Sequence, residues 1–264
     1  MSDATVPTNK VRLDVWLAEN GLAQSRTHAQ ELIEAGQVFL QDGIQKKILK
    51  KSSIAVEPAW LGKIVVEEGA ANRFVSRGGL KLEGALQHLQ LSARGLHALD
   101  VGISTGGFTD CLLQKGAKFV LGVDVGHGQV NAELLKNSRL KVLEGVNARS
   151  LKADSEVLVE VPVQKFDLIV MDVSFISISL IIPQLSFFLN DSGFLLSLVK
   201  PQFEVGVDGL AKGGIVKDVS LYDEVESRVK QACQQNGFAV LDYFSSPIQG
   251  KDGNNEFFVF AKKA

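Results

Sequence analysis

The sequence predicts an α/β protein. One mostly parallel sheet of seven strands, with an antiparallel hairpin at its edge, follows a small N-terminal α+β module. Three observations predict it. From residue 76 onward, continuous apolar runs alternate with helical stretches, the pattern of parallel strands covered on both faces. The stretch Leu99-Asp-Val-Gly-Ile-Ser-Thr-Gly-Gly-Phe-Thr-Asp110 runs from a buried strand through a glycine turn into a helix. Residues 1–60 carry helix and strand patterns of their own, and a stretch without period, 61–75, separates them from the rest. The expected organisation is a module at 1–60, a linker at 61–75 and a large domain at 76–264.

Composition narrows the function classes. The chain has 264 residues, 45% apolar and 22% charged, with a net charge of −2. That is ordinary globular composition. A near-neutral chain has no broad attraction for nucleic acid, so any RNA contact must come from local patches. No run reaches the ~18 apolar residues of a membrane helix. The longest, Ile176 to Leu189, is broken by serines, Pro183 and Gln184. The N-terminus lacks the charged and apolar regions of a signal peptide. Cys111 and Cys233 lack metal-ligand spacing and read as free thiols of a cytoplasmic protein, with no metal expected.

In the module, residues 1–10 are polar and expected to form a loose arm. Leu13, Trp16 and Leu17 share one face of a helix over 11–22, which Gly21 ends. Ser25 is a good N-cap for a second helix with Ala29, Leu32 and Ile33 inward, and Gly36 stops it. Val38-Phe-Leu40 reads as a strand, Asp42-Gly43 as a tight turn and Ser53 to Glu57 as another strand. Between them, Gln45 to Lys51 carries four lysines. The words Arg12-Leu13-Asp14, Leu17, Ser25-Arg26, Ala29, Leu32-Ile33, Gly36, Val38 and Gly43 resemble the RNA-binding module named after ribosomal small-subunit protein four, over residues 11–57. In that family paired helices present basic residues to structured RNA. The resemblance implies RNA contacts from Arg12, Arg26, Lys46, Lys47, Lys50 and Lys51. Seven basic and seven acidic residues balance over 1–60, so on charge alone the lysine run reads equally as a solvated hairpin. Gln41-Asp42-Gly43 stands where the family has Val-Asn-Gly.

In the large domain, the glycines of the first turn let a backbone approach a ligand, and the helix N-terminus behind them attracts polar or anionic atoms. Asp124 closes the next strand, Phe119-Val-Leu-Gly-Val-Asp124, where a carboxylate can accept hydrogen bonds from two ribose hydroxyls. Together they imply a nucleoside-containing cofactor. The glycines spell G-x-x-x-G-G rather than the dinucleotide G-x-G-x-x-G, with Ser104 and Thr105 inside. This resembles the first motif of S-adenosylmethionine (SAM) methyltransferases. The expected contacts are Gly102, Ser104 and Gly106 around the amino-acid end, with Asp100, Thr105 and Gly107 in the same turn. Asp124 is expected on the ribose, and Asn147, in the loop after the third strand, beside the adenine.

A helix is expected from near Gly79, with Leu82, Ala85, Leu86 and Leu89 on its apolar face. Lys81 falls in its first turn, where the helix dipole offers a cation nothing. It reads either as a surface lysine or as a functional group. Further strands are expected at 141–144, 166–172 and 194–200, and those at 238–244 and 256–261 as an antiparallel hairpin. Asp172 and Lys200 close two of these strands at the carboxyl end, where open α/β sheets bind ligands. Either charge buried alone would be costly, so they are expected to neutralise one another. The glycine-rich loop Val205 to Ile215 reads as a lid.

Ser76-Arg-Gly-Gly-Leu-Lys-Leu82, the Asp100 to Asp110 turn, Val146-Asn-Ala-Arg149, Met171-Asp-Val-Ser-Phe-Ile-Ser177 and Val199-Lys-Pro-Gln-Phe-Glu204 resemble the TlyA (hemolysin-A) family, over roughly 11–262. That family joins the RNA-binding module to an FtsJ-like, Rossmann-like 2′-O-ribose methyltransferase domain. The resemblance implies SAM as cofactor, cytidine in one or both ribosomal RNAs as substrate and ribosomal subunits as partners; no membrane partner is expected, and the oligomeric state stays open, with a monomer favoured. FtsJ-like domains are known for a Lys-Asp-Lys-Glu tetrad. Carried over by motif it is Lys81, Asp172, Lys200 and Glu256, the last by its position opening the final strand. A ribose 2′-hydroxyl must lose its proton as it attacks a methyl group, and a lysine accepts one only where burial or a cationic neighbour has freed it. Lys200 is the expected base or hydroxyl-orienting group and Lys81 its neighbour, with the two carboxylates orienting the lysines.

Three other classes fit less well. A membrane-active hemolysin needs an amphipathic or spanning element, and the sequence offers none. A pseudouridine synthase, some of which carry the same module, has no use for a SAM turn. A non-catalytic ribosome-assembly factor does not need all four tetrad residues.

Overall fold

A computed structural model describes residues 11–23, 25–67, 69, 73–153, 165–250 and 253–264. The expected loose arm at 1–10 and residues 68 and 70–72 of the expected linker lie outside the described residues. The chain divides into two compact units, 1–77 and 78–264.

In the first unit α1 (Leu13–Glu19) and α2 (Arg26–Glu34) pack over a small antiparallel sheet, β1 (Val38–Asp42), β2 (Gln45–Ile48) and β3 (Ile64–Val66), in the order β2-β1-β3. Leu13, Trp16 and Leu17 from α1 and Ala29, Leu32 and Ile33 from α2 fill its core, the faces their spacing predicts. Ser25 caps α2 by accepting a hydrogen bond from the His28 N–H at 3.1 Å. The third strand differs from expectation. Ser53 to Glu57 forms no strand, only an isolated bridge between Ala55 and Arg12. The free edge of β1 is taken instead by Ile64–Val66, from the stretch read as linker, in the register Leu40↔Ile64 and Val38↔Val66. Three β-branched residues in a row suit that edge. The turn Pro58–Trp60 stands between the bridge and the strand.

The second unit is built on seven strands: β4 (His97–Val101), β5 (Phe119–Asp124), β6 (Leu140–Glu144), β7 (Phe166–Met171), β8 (Leu189–Val199), β9 (Phe238–Ser245) and β10 (Phe257–Lys263). Their order is β6-β5-β4-β7-β8-β10-β9. The first five run parallel, and β10 lies antiparallel between β8 and β9. Leu99, Leu121, Ile169 and Leu195 are fully buried, as strands covered on both faces must be. β8 starts at Leu189 rather than at Phe194. An irregularity in its pairing with β7 absorbs the polar residues Asn190 to Gly193, which had masked the strand's beginning. The helices are α3 (Arg77–His88), α4 (Gly107–Gln114), the single turn α5 (Ile182–Leu185) and α6 (Ser220–Gln235). Because α3 begins at Arg77, Lys81 sits two residues further in than expected, and at 9% exposure it is not a surface lysine. The chain reverses direction of travel across the sheet at β4, which opens a crevice at the carboxyl ends of β4, β5 and β7. The loop read as a lid is tied down by Asn254, whose side chain accepts from the Val216 N–H and donates to the Gly214 carbonyl.

Candidate active site

The crevice is a cleft of about 540 Å³. Gly102, Ser104, Asp124, Asn147 and Asp172 line it, joined by Val125, Gln129, Arg149 and Phe175, which sequence reasoning did not single out. The turn after β4 needs its glycines. Gly102 has φ +83°, and a Cβ there would lie 2.8 Å from the Asp172 carbonyl and 2.9 Å from Val173 Cγ1. Gly106 has φ +97°, and a Cβ there would strike Leu134. The backbone thus comes closer to β7 than any side chain would allow. The Asp124 carboxylate is fixed at the cleft wall, Oδ2 accepting from the Ser104 N–H and Oδ1 from the Gly126 N–H, both at 2.8 Å. Each oxygen keeps capacity for a further donor. A glycine cradle with a carboxylate at the end of the second strand fits the adenosine and amino-acid portions of SAM.

Four residues of the predicted cofactor set stand back from the cleft: Asp100, Thr105, Gly106 and Gly107. Asp100 is 1% exposed and accepts a hydrogen bond from Thr109 Oγ1 at 2.6 Å. Burial pushes its carboxyl up to about 7, against the Thr109 hydrogen bond and with help from the charge of Asp172. Asp100 therefore braces the base of the turn. Thr105 accepts from the Asn131 N–H through its carbonyl, and Gly106 and Gly107 form the N-cap and first residue of α4.

The tetrad resolves into two ion pairs. Lys200 Nζ lies 2.5 Å from Asp172 Oδ1 and 2.9 Å from Ser174 Oγ. Lys81 Nζ lies 2.5 Å from Glu256 Oε2. Strand register carries three of these residues to neighbouring strand ends. Phe257 pairs with Val199, so Glu256 and Lys200 leave the sheet side by side. Val101 pairs with Met171, so Gly102 and Asp172 do the same. Each lysine meets a carboxylate, so no charge is left unpaired at low exposure. The expected Asp172–Lys200 neutralisation is present, and the partner of Lys81 is Glu256. Asp172 is the tetrad member that also lines the cleft; Lys81, Lys200 and Glu256 lie off it.

Beside Lys200, Phe175 has φ +64° and is 91% exposed, its ring 5.2 Å from that of Phe203. Nothing in Val173-Ser-Phe-Ile-Ser177 marks Phe175 as exposed; its left-handed backbone accompanies the outward side chain.

In the first unit, Asp14 is fully buried and organises both candidate arginines. Arg12 donates to it from Nε and Nη2, Arg26 from Nε and Gln30 from Nε2. The Arg12 hydrogen bond, first among these donors, holds the Asp14 carboxyl well below the usual range. Lys46 is taken up by an ion pair with Glu67 and by the ring of Phe39. Lys47, Lys50 and Lys51 are exposed.

Cleft, fold and paired lysines together define a SAM-dependent methyltransferase. The chain belongs to the FtsJ-like methyltransferase family, whose sequence profile matches residues 74–263, and an S4 domain matches residues 11–50. It is 38% identical over 253 residues to the 16S/23S rRNA (cytidine-2′-O)-methyltransferase TlyA of Mycobacterium tuberculosis, covering 96% of this chain and 90% of that protein. It is 37% identical over 247 residues to hemolysin A of Brachyspira hyodysenteriae, covering 94% and 98%. A solved structure from Streptococcus thermophilus that carries a hemolysin name superposes with a TM-score of 0.72 at 36% identity, over 98% of this chain and 90% of that one. Among the described residues no helix is long and apolar enough to cross a membrane, and no three or more His, Cys, Asp or Glu side chains cluster as metal ligands would.

Asp124→Ala is expected to weaken SAM binding by about 1–3 kcal/mol in calorimetry, the range for losing hydrogen bonds to a buried partner. Unchanged affinity would remove Asp124 from the cofactor site.

Proposed function

We propose that this protein transfers a methyl group from SAM to the ribose 2′-hydroxyl of a cytidine in ribosomal RNA, acting in the cytoplasm on ribosomal subunits. The observation that carries the reading is Lys200, held by Asp172 and Ser174, two residues that line a cleft built for a nucleoside cofactor. The relatives named as rRNA (cytidine-2′-O)-methyltransferases support the substrate.

When bound, SAM supplies an electrophilic methyl group. Gly102 and Ser104 receive its amino-acid end, Asp124 holds its ribose and Asn147 flanks its adenine. Lys200 receives or orients the target hydroxyl, and Asp172 and Ser174 fix the direction of its Nζ. The Lys81–Glu256 pair sets the charge beside it. Phe175 offers an exposed ring at the cleft mouth on which the target base can stack. Much of the acceleration comes from holding hydroxyl and methyl in line. In the S4 domain Arg12, Arg26 and the exposed lysines contact RNA phosphates, with Asp14 presenting the two arginines. Transfer of labelled methyl from SAM to isolated ribosomal subunits, followed by nucleoside analysis, tests the reading.

A further inference from the structure

Glu204 ends the same word that contains Lys200, yet the chemistry above does not use it. It is 5% exposed and lies off the cofactor cleft. Its carboxylate reaches across to the loop after β7, where Oε2 accepts from Ser177 Oγ at 2.6 Å and Oε1 from the Ile178 N–H at 2.8 Å. Its carbonyl accepts from Arg228 Nη1 of α6 at 2.5 Å, which anchors the residue from behind.

The contacts between the two loops run in chain order. Asp172 and Ser174 meet Lys200, Phe175 meets Phe203, and Ser177 and Ile178 meet Glu204. Phe175 lies in the middle of this series at φ +64°. A side chain other than glycine holds a left-handed backbone only when its surroundings impose it. At 91% exposure little packing does so for Phe175. The loop is instead fixed on both flanks, by Lys200 on one side and by Glu204 on the other. Burial raises the Glu204 carboxyl above the ordinary range, and the Ser177 and Ile178 donors work against that rise.

We infer that Glu204 is a positioning residue for methyl transfer: its carboxylate clamps the loop 172–178 so that Ser174 stays on Lys200 and Phe175 stays turned toward the cleft mouth. The inference rests on the reading of Lys200 as the group that acts on the target hydroxyl.

The test uses the full chain with SAM and ribosomal subunits. Glu204→Ala removes both acceptors, whereas Glu204→Gln keeps the length and one acceptor oxygen. Glu204→Ala is expected to lower kcat by about 10²-fold, as a small misplacement of reacting groups does, with a smaller change in SAM affinity, since residues 172–176 also line the cleft. Glu204→Gln is expected to restore most of the rate. Hydrogen exchange at the Ile178 amide should quicken in Glu204→Ala and not in Glu204→Gln. Should Glu204→Ala fail to fold, Ser177→Ala decides, since it removes one of the two bonds. A several-fold fall in kcat, larger than any change in SAM affinity, supports the clamp, and an unchanged kcat overturns it. A folded Glu204→Ala with wild-type kcat overturns this inference alone. A wild-type chain that binds SAM and methylates no subunit overturns the functional reading and the clamp with it.

Discussion

Lys200→Ala loses methyl transfer to ribosomal subunits while keeping its affinity for SAM. The expected loss is about 10²–10⁴-fold, the range for removing a general base or its equivalent. Lys200 lies off the cofactor cleft and touches it only through Asp172 and Ser174, so calorimetry with SAM should read the wild-type value. The Asp172 side chain left behind is 22% exposed, but its Oδ1, the oxygen that faces Lys200, is buried, so the variant should also lose some stability, and its fold is checked by thermal melting before activity is read. Lys81→Ala should cost nearly as much activity, because residues acting as a unit give losses that do not add. It should also destabilise the protein, since the Glu256 side chain is 3% exposed and would be left as an unpaired buried charge. Turnover within a few-fold of wild type in Lys200→Ala would mean that the ion pair with Asp172 is structural only.

Removing residues 1–72 should leave SAM binding intact and lower methylation of ribosomal subunits by about 10²-fold or more, the order expected on losing several phosphate contacts. The cut follows the structure. A cut after residue 60 would leave β3 behind without the strand it pairs with, whereas residues 1–72 include the whole three-stranded sheet and the core residues Leu13 to Ile64. The cofactor site and the tetrad all lie beyond residue 77. Full-rate methylation by the truncated chain would show that the S4 domain is not the RNA anchor.

How much could be read in advance depended on the range of each interaction. The turn after β4 was legible because its signal is local: an apolar strand, glycines and a helix within a dozen residues. Asp172 and Lys200 were legible as a pair because each ends an apolar run and a lone charge cannot stay there. The Lys81–Glu256 pair joins residues 175 positions apart, and no local pattern announces it; only the family resemblance placed both residues in one site. Asp100 stands in the cofactor turn by sequence, but strand alternation points its side chain into the domain, where Thr109 meets it. β3 was missed because three residues are too few for a period to show. Phe175 was missed because nothing in Val173-Ser-Phe-Ile-Ser177 marks it as exposed, and its backbone angle shows only in the structure. Glu204 carried no sign of its role, since its partners Ser177 and Ile178 belong to another loop.

The most direct test of the central claim is where the methyl group ends up. Full-length protein is incubated with labelled SAM and isolated ribosomal subunits, and the RNA is digested to nucleosides. The label should appear in 2′-O-methylcytidine, and the phosphodiester that follows the modified nucleotide should resist alkali, because that cleavage needs a free 2′-hydroxyl. Label on a base, or no transfer to either subunit by a protein that binds SAM, would contradict the account.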